Sequence, residues 1–347
     1  MNTSLILTHC EDPDGIISHA LLIHALGITK EDPCNHFFAR YDRLVSEFEK
    51  VEKRLGDIAS GHPCSSSPRL YVADIGLNGT LANAGGSPYA LLERITSQLG
   101  EKGISWIDHH ETSLNHREAL VRMRTDLQYH AERCAALLVK DIFGLDTEYE
   151  SELAHIAQAH DHKKPGSTSQ RVLRGDELEK VISLANERLD YTLMNDITWS
   201  LVQGTFFNSH FELRQKWKEI SSEFDSRKSS AYTELESSIA IEEIAGLRVL
   251  FAYSPAILSM KPAQEYIRLH YEKHADLFFV GFQSPSRNHF LLKRADVDFP
   301  VIQIATDFGG GGRGNGGGFS TPYDVTSERY AELKEKIVEK IVAYSNK

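Results

Sequence analysis

Short apolar runs alternate with longer segments of helical hydrophobic spacing through the first half of the chain. Strands are predicted at 5–7, 36–39, 70–73 and 104–107, and helices at 16–26, 44–55, 90–99 and 134–143. Short, almost wholly apolar strands separated by helices are typical of a parallel sheet covered on both faces. The pattern therefore predicts an α/β domain with a mainly parallel sheet. A surface loop is predicted at 60–68, which is rich in Ser and Pro.

The pattern changes in the second half of the chain. Strand signals fade from 177 to 243, and the segment 211–244 has mostly helical spacing without Gly or Pro. Strands are predicted to resume at 248–253, 277–281, 289–293 and 301–305, before a glycine-rich segment and a closing helix at 327–345. We therefore predict three regions, which are an α/β domain at 1–175, a helical connector at 176–245 and a smaller α/β domain at 246–347.

Composition narrows the class of protein. With 347 residues, 41% of them hydrophobic, the chain can build two cores. Its net charge of −11 disfavours a protein that coats long nucleic acid, because such binding depends on many basic contacts to phosphates. No signal peptide or membrane span is predicted, so we expect a cytoplasmic protein without a membrane partner. The four cysteines form no CxxC pair, which disfavours a zinc ribbon.

Candidate metal-binding and catalytic residues follow the predicted strands. The residues are His9, Asp12 and Asp14 after the first strand, Asp74 after the third, Asp108, His109 and His110 after the fourth, and Asp161 at the end of a helical segment. In a parallel sheet these strand ends meet at one edge. A single Asp in such a place is more often a helix cap or a turn former. Several at one edge favour a divalent-metal site, because carboxylates brought together without cations repel each other.

These motifs resemble those of the DHH phosphoesterase superfamily, named for the Asp-His-His found here at 108–110. The resemblance implies that His9 and Asp12 hold one ion, that Asp14, His109 and Asp161 hold a second, and that Asp74 bridges both. It also implies that His110 contacts phosphoryl oxygens and that Asp108 orients its neighbours. Glu11 remains an alternative to Asp12 as a ligand. Mixed carboxylate and imidazole ligands without thiolate favour two Mn²⁺ ions, with Mg²⁺ as the alternative.

The glycine-rich segment 309–318 resembles the glycine motif of the DHHA1 substrate domain, and Lys293-Arg294 resembles its basic strand. The residues expected to bind substrate are Arg294, Gly311, Gly312, Arg313, Asn315 and Gly316. Successive backbone N–H groups in a glycine loop can bind an anion, and an Arg adds a fork suited to phosphate. The alternative is a flexible linker. Arg313 stands where the family usually has His, which leaves the substrate preference open.

Family members with this two-domain layout resemble nano-RNases, exonucleases that degrade short oligoribonucleotides and linear dinucleotides such as pGpG. The expected partner is such a short substrate rather than long nucleic acid, and a homodimer is left open. The alternatives are a cyclic-dinucleotide phosphodiesterase, a pAp phosphatase, a pyrophosphatase and a non-catalytic nucleotide-binding regulator. A zinc hydrolase built on His155, His160 and His162 is disfavoured, because the chain has no HExxH spacing.

Overall fold

The computed structural model describes residues 4–30, 35–61, 68–164, 166–257, 260–283, 288–321 and 326–346. The chain forms two compact units. The first comprises Met1–Asn186 and Asp190–Ser221, and the second comprises Glu187–Leu189 and Ser222–Lys347. Among the residues that the structure describes, no helix combines the length and apolar character needed to cross a bilayer.

The first unit is built on a parallel sheet, as the sequence predicts. Its strands are β1 (Leu5–His9), β2 (His36–Ala39), β3 (Leu70–Ala73), β4 (Ile104–Asp108) and β5 (Thr125–Tyr129). Their order is β2-β1-β3-β4-β5, and every described pairing is parallel. The edge strand β5 escaped the sequence pattern because its residues, Thr-Asp-Leu-Gln-Tyr, are mostly polar and only partly buried.

Helices cover both faces of this sheet and close two hydrophobic clusters. They are α1 (Pro13–Leu26), α2 (Leu44–Gly61), α3 (Gly79–Ala82), α4 (Ala90–Leu99), α5 (Glu111–Asn115), α6 (Arg117–Arg122), α7 (Ala135–Phe143), α8 (Glu148–Asp161), α9 (Gln170–Arg188) and α10 (Tyr191–Val202). Most of the stretch predicted as a connector is helical, and α9 and α10 contribute buried residues to the first unit. The predicted loop at 60–68 falls mainly on 62–67, outside the described residues.

The first helix begins at a position fixed by local capping signals. Asp12 is its N-cap and accepts a hydrogen bond from the Gly15 N–H, and Pro13 occupies the first turn, where its missing N–H costs nothing. Gly27 ends the helix in a left-handed conformation with φ of 61°. These signals place the start of α1 directly behind the carboxyl end of β1.

The second unit contains a mixed sheet. Its strands are β6 (Ala240–Ile244), β7 (Leu247–Ile257), β8 (Leu277–Gln283), β9 (Asn288–Lys293), β10 (Gly311–Arg313) and β11 (Gly316–Ser320), in the order β10-β11-β9-β8-β7-β6. Helix α11 (Gln215–Ser238) leads into it, and α12 (Met260–Tyr271), α13 (Val301–Asp307) and α14 (Ser327–Ser345) complete it. The helical prediction for 211–244 is wrong at its end, since the last residues pair with β7 as β6.

The strand predicted at 301–305 is also wrong, because these residues form α13. Pro300 is its N-cap, and Val301, Ile304 and Ala305 are the buried residues of the helix. Their i, i+3, i+4 spacing marks one helical face, but the segment is so short and apolar that it also fits a buried strand.

The glycine-rich segment is a β-hairpin rather than an irregular loop. Strands β10 and β11 pair antiparallel, with Gly311 opposite Gly318 and Arg313 opposite Gly316. Helix α13 lies flush against this hairpin, so a Cβ atom at Gly317 would come within 2.7 Å of the Ala305 Cβ. A Cβ at Gly311 would meet nothing within 4 Å. Part of the glycine content therefore serves packing within the unit, whereas Gly311 stays open.

These two glycines predict opposite responses to an added methyl group. Gly317→Ala should lower the free energy of unfolding by about 1–3 kcal/mol, because the methyl group overpacks the contact with α13. Gly311→Ala should leave stability unchanged or raise it slightly, since it only restricts the unfolded chain. Urea denaturation of both variants and the wild type measures the difference. Equal stabilities for the two variants would contradict the close packing of α13 on the hairpin.

Candidate metal centre

The candidate residues converge because of the strand order. Strands β1, β3 and β4 are neighbours, so the segments that leave their carboxyl ends lie side by side. The order also reverses next to β1, which is where ligands bind in open α/β sheets. Gly15 permits the tight approach of α1 to this edge, since a Cβ there would lie 2.1 Å from the carbonyl oxygen of His9.

Asp74 occupies the centre of the cluster in a left-handed backbone conformation. Its φ is 58°, which is uncommon for a residue other than glycine, and only 1% of its surface is exposed. Its N–H donates to the carbonyl oxygen of Ile107 on β4, at 3.1 Å. Strained backbone of this kind concentrates at functional sites, where the surrounding structure holds it in place.

One group of potential ligands consists of His9, Asp12 and Asp74. The Nδ1 atom of His9 lies 3.1 Å from Asp12 Oδ2 and 3.4 Å from Asp74 Oδ2. Asp12 has a double role, because its Oδ1 atom accepts the hydrogen bond from the Gly15 N–H that caps α1. Oδ2 therefore remains as its second oxygen for an ion, and the three side chains form one of the groups whose ligand atoms lie within 4.8 Å of one another.

A second group forms around His109. Its Nε2 atom is 3.3 Å from Asp74 Oδ1, and its Nδ1 atom is 3.6 Å from Oδ2 of Asp161 at the end of α8. His162 joins on the outer side, with Nε2 3.3 Å from Asp161 Oδ2. Nothing in the sequence pattern favours His162 over other exposed histidines. Its place beside Asp161 depends on how the end of α8 approaches the sheet.

Asp14 lies in the same cluster but has a structural partner as well. Its two carboxylate oxygens accept hydrogen bonds from the N–H groups of Ala135 and Ala136, both at 2.8 Å, at the start of α7. Its Oδ2 atom is 3.8 Å from His109 Nε2. Each oxygen retains a second lone pair, so capping α7 is compatible with the predicted role of Asp14 as a ligand.

Asp108 and His110 form a pair at the end of β4. The Nδ1 atom of His110 donates to Asp108 Oδ1 at 2.7 Å, and Asp108 is fully buried. The bond fixes the imidazole ring through one nitrogen and leaves Nε2 as its other polar atom. This geometry suits the predicted roles, in which Asp108 orients the ring and His110 contacts substrate.

The buried charges of the cluster are only partly neutralised by protein groups. Burial alone would lower the pKa of His9, but the carboxylates of Asp12, Asp74 and Glu11 outweigh it and hold that pKa well above its usual value. Burial also opposes charge on His109, yet Asp74, Asp14 and Asp161 raise its pKa to about 9. Burial and the neighbouring carboxylates of Asp74 and Asp12 raise the pKa of Asp14. Without another cation, the cluster therefore retains protons.

Buried polar atoms without hydrogen bonds also indicate that the cluster is incomplete without a cation. Nδ1 of His9, Oδ2 of Asp74 and Oδ2 of Asp108 are buried and make no hydrogen bond of good geometry within the described part of the chain. Such atoms are costly unless another group satisfies them. Carboxylate oxygens and imidazole nitrogens are ordinary ligands of Mn²⁺, so the donor set fits divalent cations.

A nearby cluster of His160, Asp176 and Glu179 also has ligand-like spacing. There the ammonium of Lys163 lies 2.6 Å from Asp176 Oδ1 and 3.0 Å from His160 Nε2. The chain thus supplies its own cation at this place. Both carboxylates belong to α9, and only tertiary packing brings them to His160.

The predicted substrate residues lie around the hairpin of the second unit. The N–H of Lys293 on β9 donates to the carbonyl oxygen of Asn315, and Gly316 pairs with Leu292. The guanidinium of Arg294 is already engaged, at 2.9 Å from Asp276 Oδ1 and in a hydrogen bond to Asp296. The backbones of Gly312 and Arg313 belong to β10, and the side chain of Arg313 lies outside the described atoms.

Comparisons with known proteins add information on the fold. No protein-family model and no curated protein matches the chain. A solved DHH domain, described as belonging to a member of a family of ribosomal proteins, aligns with 98% of this chain and 87% of its own length, at 14% identity and a TM-score of 0.59. The chain has the DHH fold. At this identity the likeness shows the fold alone.

Two other solved structures align over nearly all of this chain. An exopolyphosphatase-related protein from Bacteroides fragilis aligns over 100% of this chain and 94% of its own, at 13% identity and a TM-score of 0.43. RecJ from Thermus thermophilus, in complex with Mg²⁺, aligns over 98% of this chain and 50% of its own, at 10% identity and a TM-score of 0.48. The Asp and His residues that carried the sequence resemblance lie close together at the edge of the first unit's sheet described above.

The protonated state of the cluster predicts how metal binding depends on pH. His9 and His109 have raised pKa values in the metal-free protein and must lose their protons to act as ligands, so binding should release protons and tighten as the pH rises towards 9. Calorimetric titration with Mn²⁺ in buffers of different ionisation enthalpy measures the release. We expect about one to two protons per chain at pH 7. Binding heats that do not depend on the buffer would contradict this protonation state.

Proposed function

We propose that the chain is a two-metal phosphodiesterase that hydrolyses short oligoribonucleotides, including linear dinucleotides such as pGpG, to mononucleotides. The observation that carries the proposal is the buried donor set at the carboxyl edge of β1, β3 and β4. Its carboxylates and imidazoles lie close enough to share ions, and three of its buried polar atoms make no hydrogen bond of good geometry among the described residues. Composition supports a small anionic substrate, because the acidic chain would repel long nucleic acid.

The ligand groups support a pair of ion positions. We assign His9 and Asp12 to one position and Asp14, His109 and Asp161 to the other, with one oxygen of Asp74 facing the histidine of each. Asp14 lies with Asp74 on the Nε2 side of His109, whereas Asp161 lies on the Nδ1 side, so Asp161 is the ligand that the distances support least. When bound, such ions supply activation of an attacking water and neutralisation of the charge that develops at phosphorus. Mn²⁺ is the preferred ion, because imidazole and carboxylate donors are mixed and the thiols of Cys10 and Cys134 stay protonated through burial, which raises the pKa of both.

The remaining residues of the edge suit binding and orientation of a phosphodiester. His110 is held by Asp108, which outweighs burial and raises the pKa of the ring, and the protonated ring can also donate through Nε2 to a phosphoryl oxygen, where charge grows in the transition state. In the second unit, the open backbone at Gly311 offers a surface without side chains, against which a nucleotide can lie closely. We assign Gly312, Arg313, Asn315 and Gly316 to the same contact. Arg294 contributes less, because two carboxylates already hold its guanidinium.

The proposal that two ions share the carboxylate of Asp74 can be tested by substitution. Asp74→Asn should lower kcat by at least about a hundredfold, because the amide loses the charge that would serve two ions. Asp126→Asn on β5 is the matched control, since its carboxylate is exposed and outside the cluster. Steady-state rates with pGpG and Mn²⁺, alongside circular dichroism, make the comparison. An Asp74→Asn protein as active as the control would refute the two-metal assignment.

Substrate length gives a second test. We expect kcat/KM to be highest for RNAs of about two to five nucleotides and to depend weakly on salt, because few phosphates are bound. Measured rates for a length series should be accompanied by rates for cyclic dinucleotides, pAp and pyrophosphate. A flat profile out to roughly tens of nucleotides, with a steep salt dependence, would indicate a basic nucleic-acid track. Nucleotide binding without turnover of any substrate would indicate a regulator instead of an enzyme.

A further inference from the structure

Glu11 contacts the opposite side of the His9 ring from the candidate metal position. Its Oε2 atom lies 3.3 Å from His9 Nε2, whereas His9 Nδ1 faces Asp12 and Asp74. The two ring nitrogens of imidazole point away from each other. A carboxylate on Nε2 is therefore badly placed to share an ion with Nδ1. The groups of ligand atoms at this edge include Asp12 with His9, and Glu11 is absent from those found among the described residues.

Other contacts hold the Glu11 carboxylate in this place. The backbone N–H of Tyr41 donates to the same Oε2 atom at 3.3 Å, and Arg40 Nη2 is 3.9 Å from Oε1. Arg40 is buried and also donates to the carbonyl oxygen of Asn186, whose side chain in turn donates to the carbonyl oxygen of Cys10. The negative charge of Glu11 thus has a cation nearby, and the backbone N–H of Tyr41 holds its carboxylate in place.

The His9 ring also packs beside an aromatic side chain. The Tyr41 ring lies 5.0 Å from it, centroid to centroid, and the Tyr41 hydroxyl accepts a hydrogen bond from the Gly76 N–H. Tyr41 therefore links the strand end that carries His9 to the loop that carries Asp74. With Tyr41 beside the ring at a tilt of 49° and Nε2 bound to Glu11, the imidazole has one nitrogen, Nδ1, left for an ion.

We infer that Glu11 is a positioning residue, which accepts the Nε2 proton of His9 and thereby presents Nδ1 to the ion held by Asp12 and Asp74. The inference rests on the proposed metal function and selects Asp12 over Glu11 as the ligand. A carboxylate behind a ligating histidine fixes its tautomer and raises its basicity. Glu11 therefore acts on the affinity of one ion and leaves the number of ions unchanged.

The test compares Glu11→Gln, Glu11→Ala and Asp12→Asn with wild type. Asn is as good a helix N-cap as Asp, so Asp12→Asn should keep α1 intact. Glu52→Gln is the control for loss of one negative charge, because Glu52 pairs with Arg94 on helices away from the cluster. Titration with Mn²⁺, followed by the electron paramagnetic resonance signal of the free ion, gives the number of bound ions and their affinities.

We expect both Glu11 variants to bind as many ions as wild type, with one ion about tenfold weaker in Glu11→Gln and up to about a hundredfold weaker in Glu11→Ala. Asp12→Asn should lose that ion or bind it more weakly than Glu11→Gln does. The inference is overturned if Glu11→Gln loses an ion that Asp12→Asn retains, since Glu11 would then be the ligand. It is also overturned if both Glu11 variants match the control.

Nuclear magnetic resonance of protein labelled with ¹⁵N-histidine provides a readout independent of affinity. With diamagnetic Zn²⁺ in place of Mn²⁺, His9 should carry its proton on Nε2, and its signals are assigned by their loss in His9→Asn. A proton on Nδ1 would overturn the inference. A wild-type protein that binds no divalent ion would overturn the proposed function itself. That result differs from wild type with bound ions beside unaffected Glu11 variants, which overturns the inference alone.

Discussion

The arrangement of side chains at the sheet edge of the first unit depends on how its buried negative charge is compensated. Asp74 and Asp108 lie almost fully buried at the carboxyl edge of the parallel sheet, next to Asp14. Protein cations neutralise this edge incompletely, since the imidazoles of His9 and His109 can do so only while protonated. A fold that keeps such a cluster loses stability unless divalent ions or substrate groups complete it. The left-handed backbone of Asp74 adds local strain at the same edge of the sheet.

The surrounding elements make this arrangement rigid. Asp12 caps α1 and Asp14 caps α7, so each carboxylate is fixed by the helix that it helps to begin. On β4, the bond from His110 to Asp108 sets the ring beside the cluster. Because ligands that are held in place lose little entropy on binding, these caps and pairs would preorganise the site for the proposed ions. Asp12 and Asp14 thus each combine a helix-capping role with a proposed role as a metal ligand.

Much of the fold could be predicted from periodicity, and the site from its position after the strands. Apolar strands such as Leu70–Ala73 are visible because both faces of the sheet are buried, whereas the polar edge strand Thr125–Tyr129 is not. Short apolar segments remain ambiguous, which is why the pattern at Val301–Asp307 predicts a strand where the structure has a helix. The glycine hairpin could not be predicted, because a run of glycines fits a ligand-binding loop equally well. The close packing of α13 on Gly317, which accounts for part of the run, is seen only in the structure. Contacts such as Glu11 with His9 require the structure, since composition cannot tell a ligand from the group behind it.

Two divalent ions are proposed to share the carboxylate of Asp74. Equilibrium dialysis of the purified chain with Mn²⁺, together with low-temperature electron paramagnetic resonance of the loaded protein, tests this proposal most directly. We predict two bound ions per chain and a multiline spectrum of an exchange-coupled pair, as expected if Asp74 is shared between both proposed positions. A single ion with the six-line spectrum of isolated Mn²⁺, or no bound ion, would contradict it.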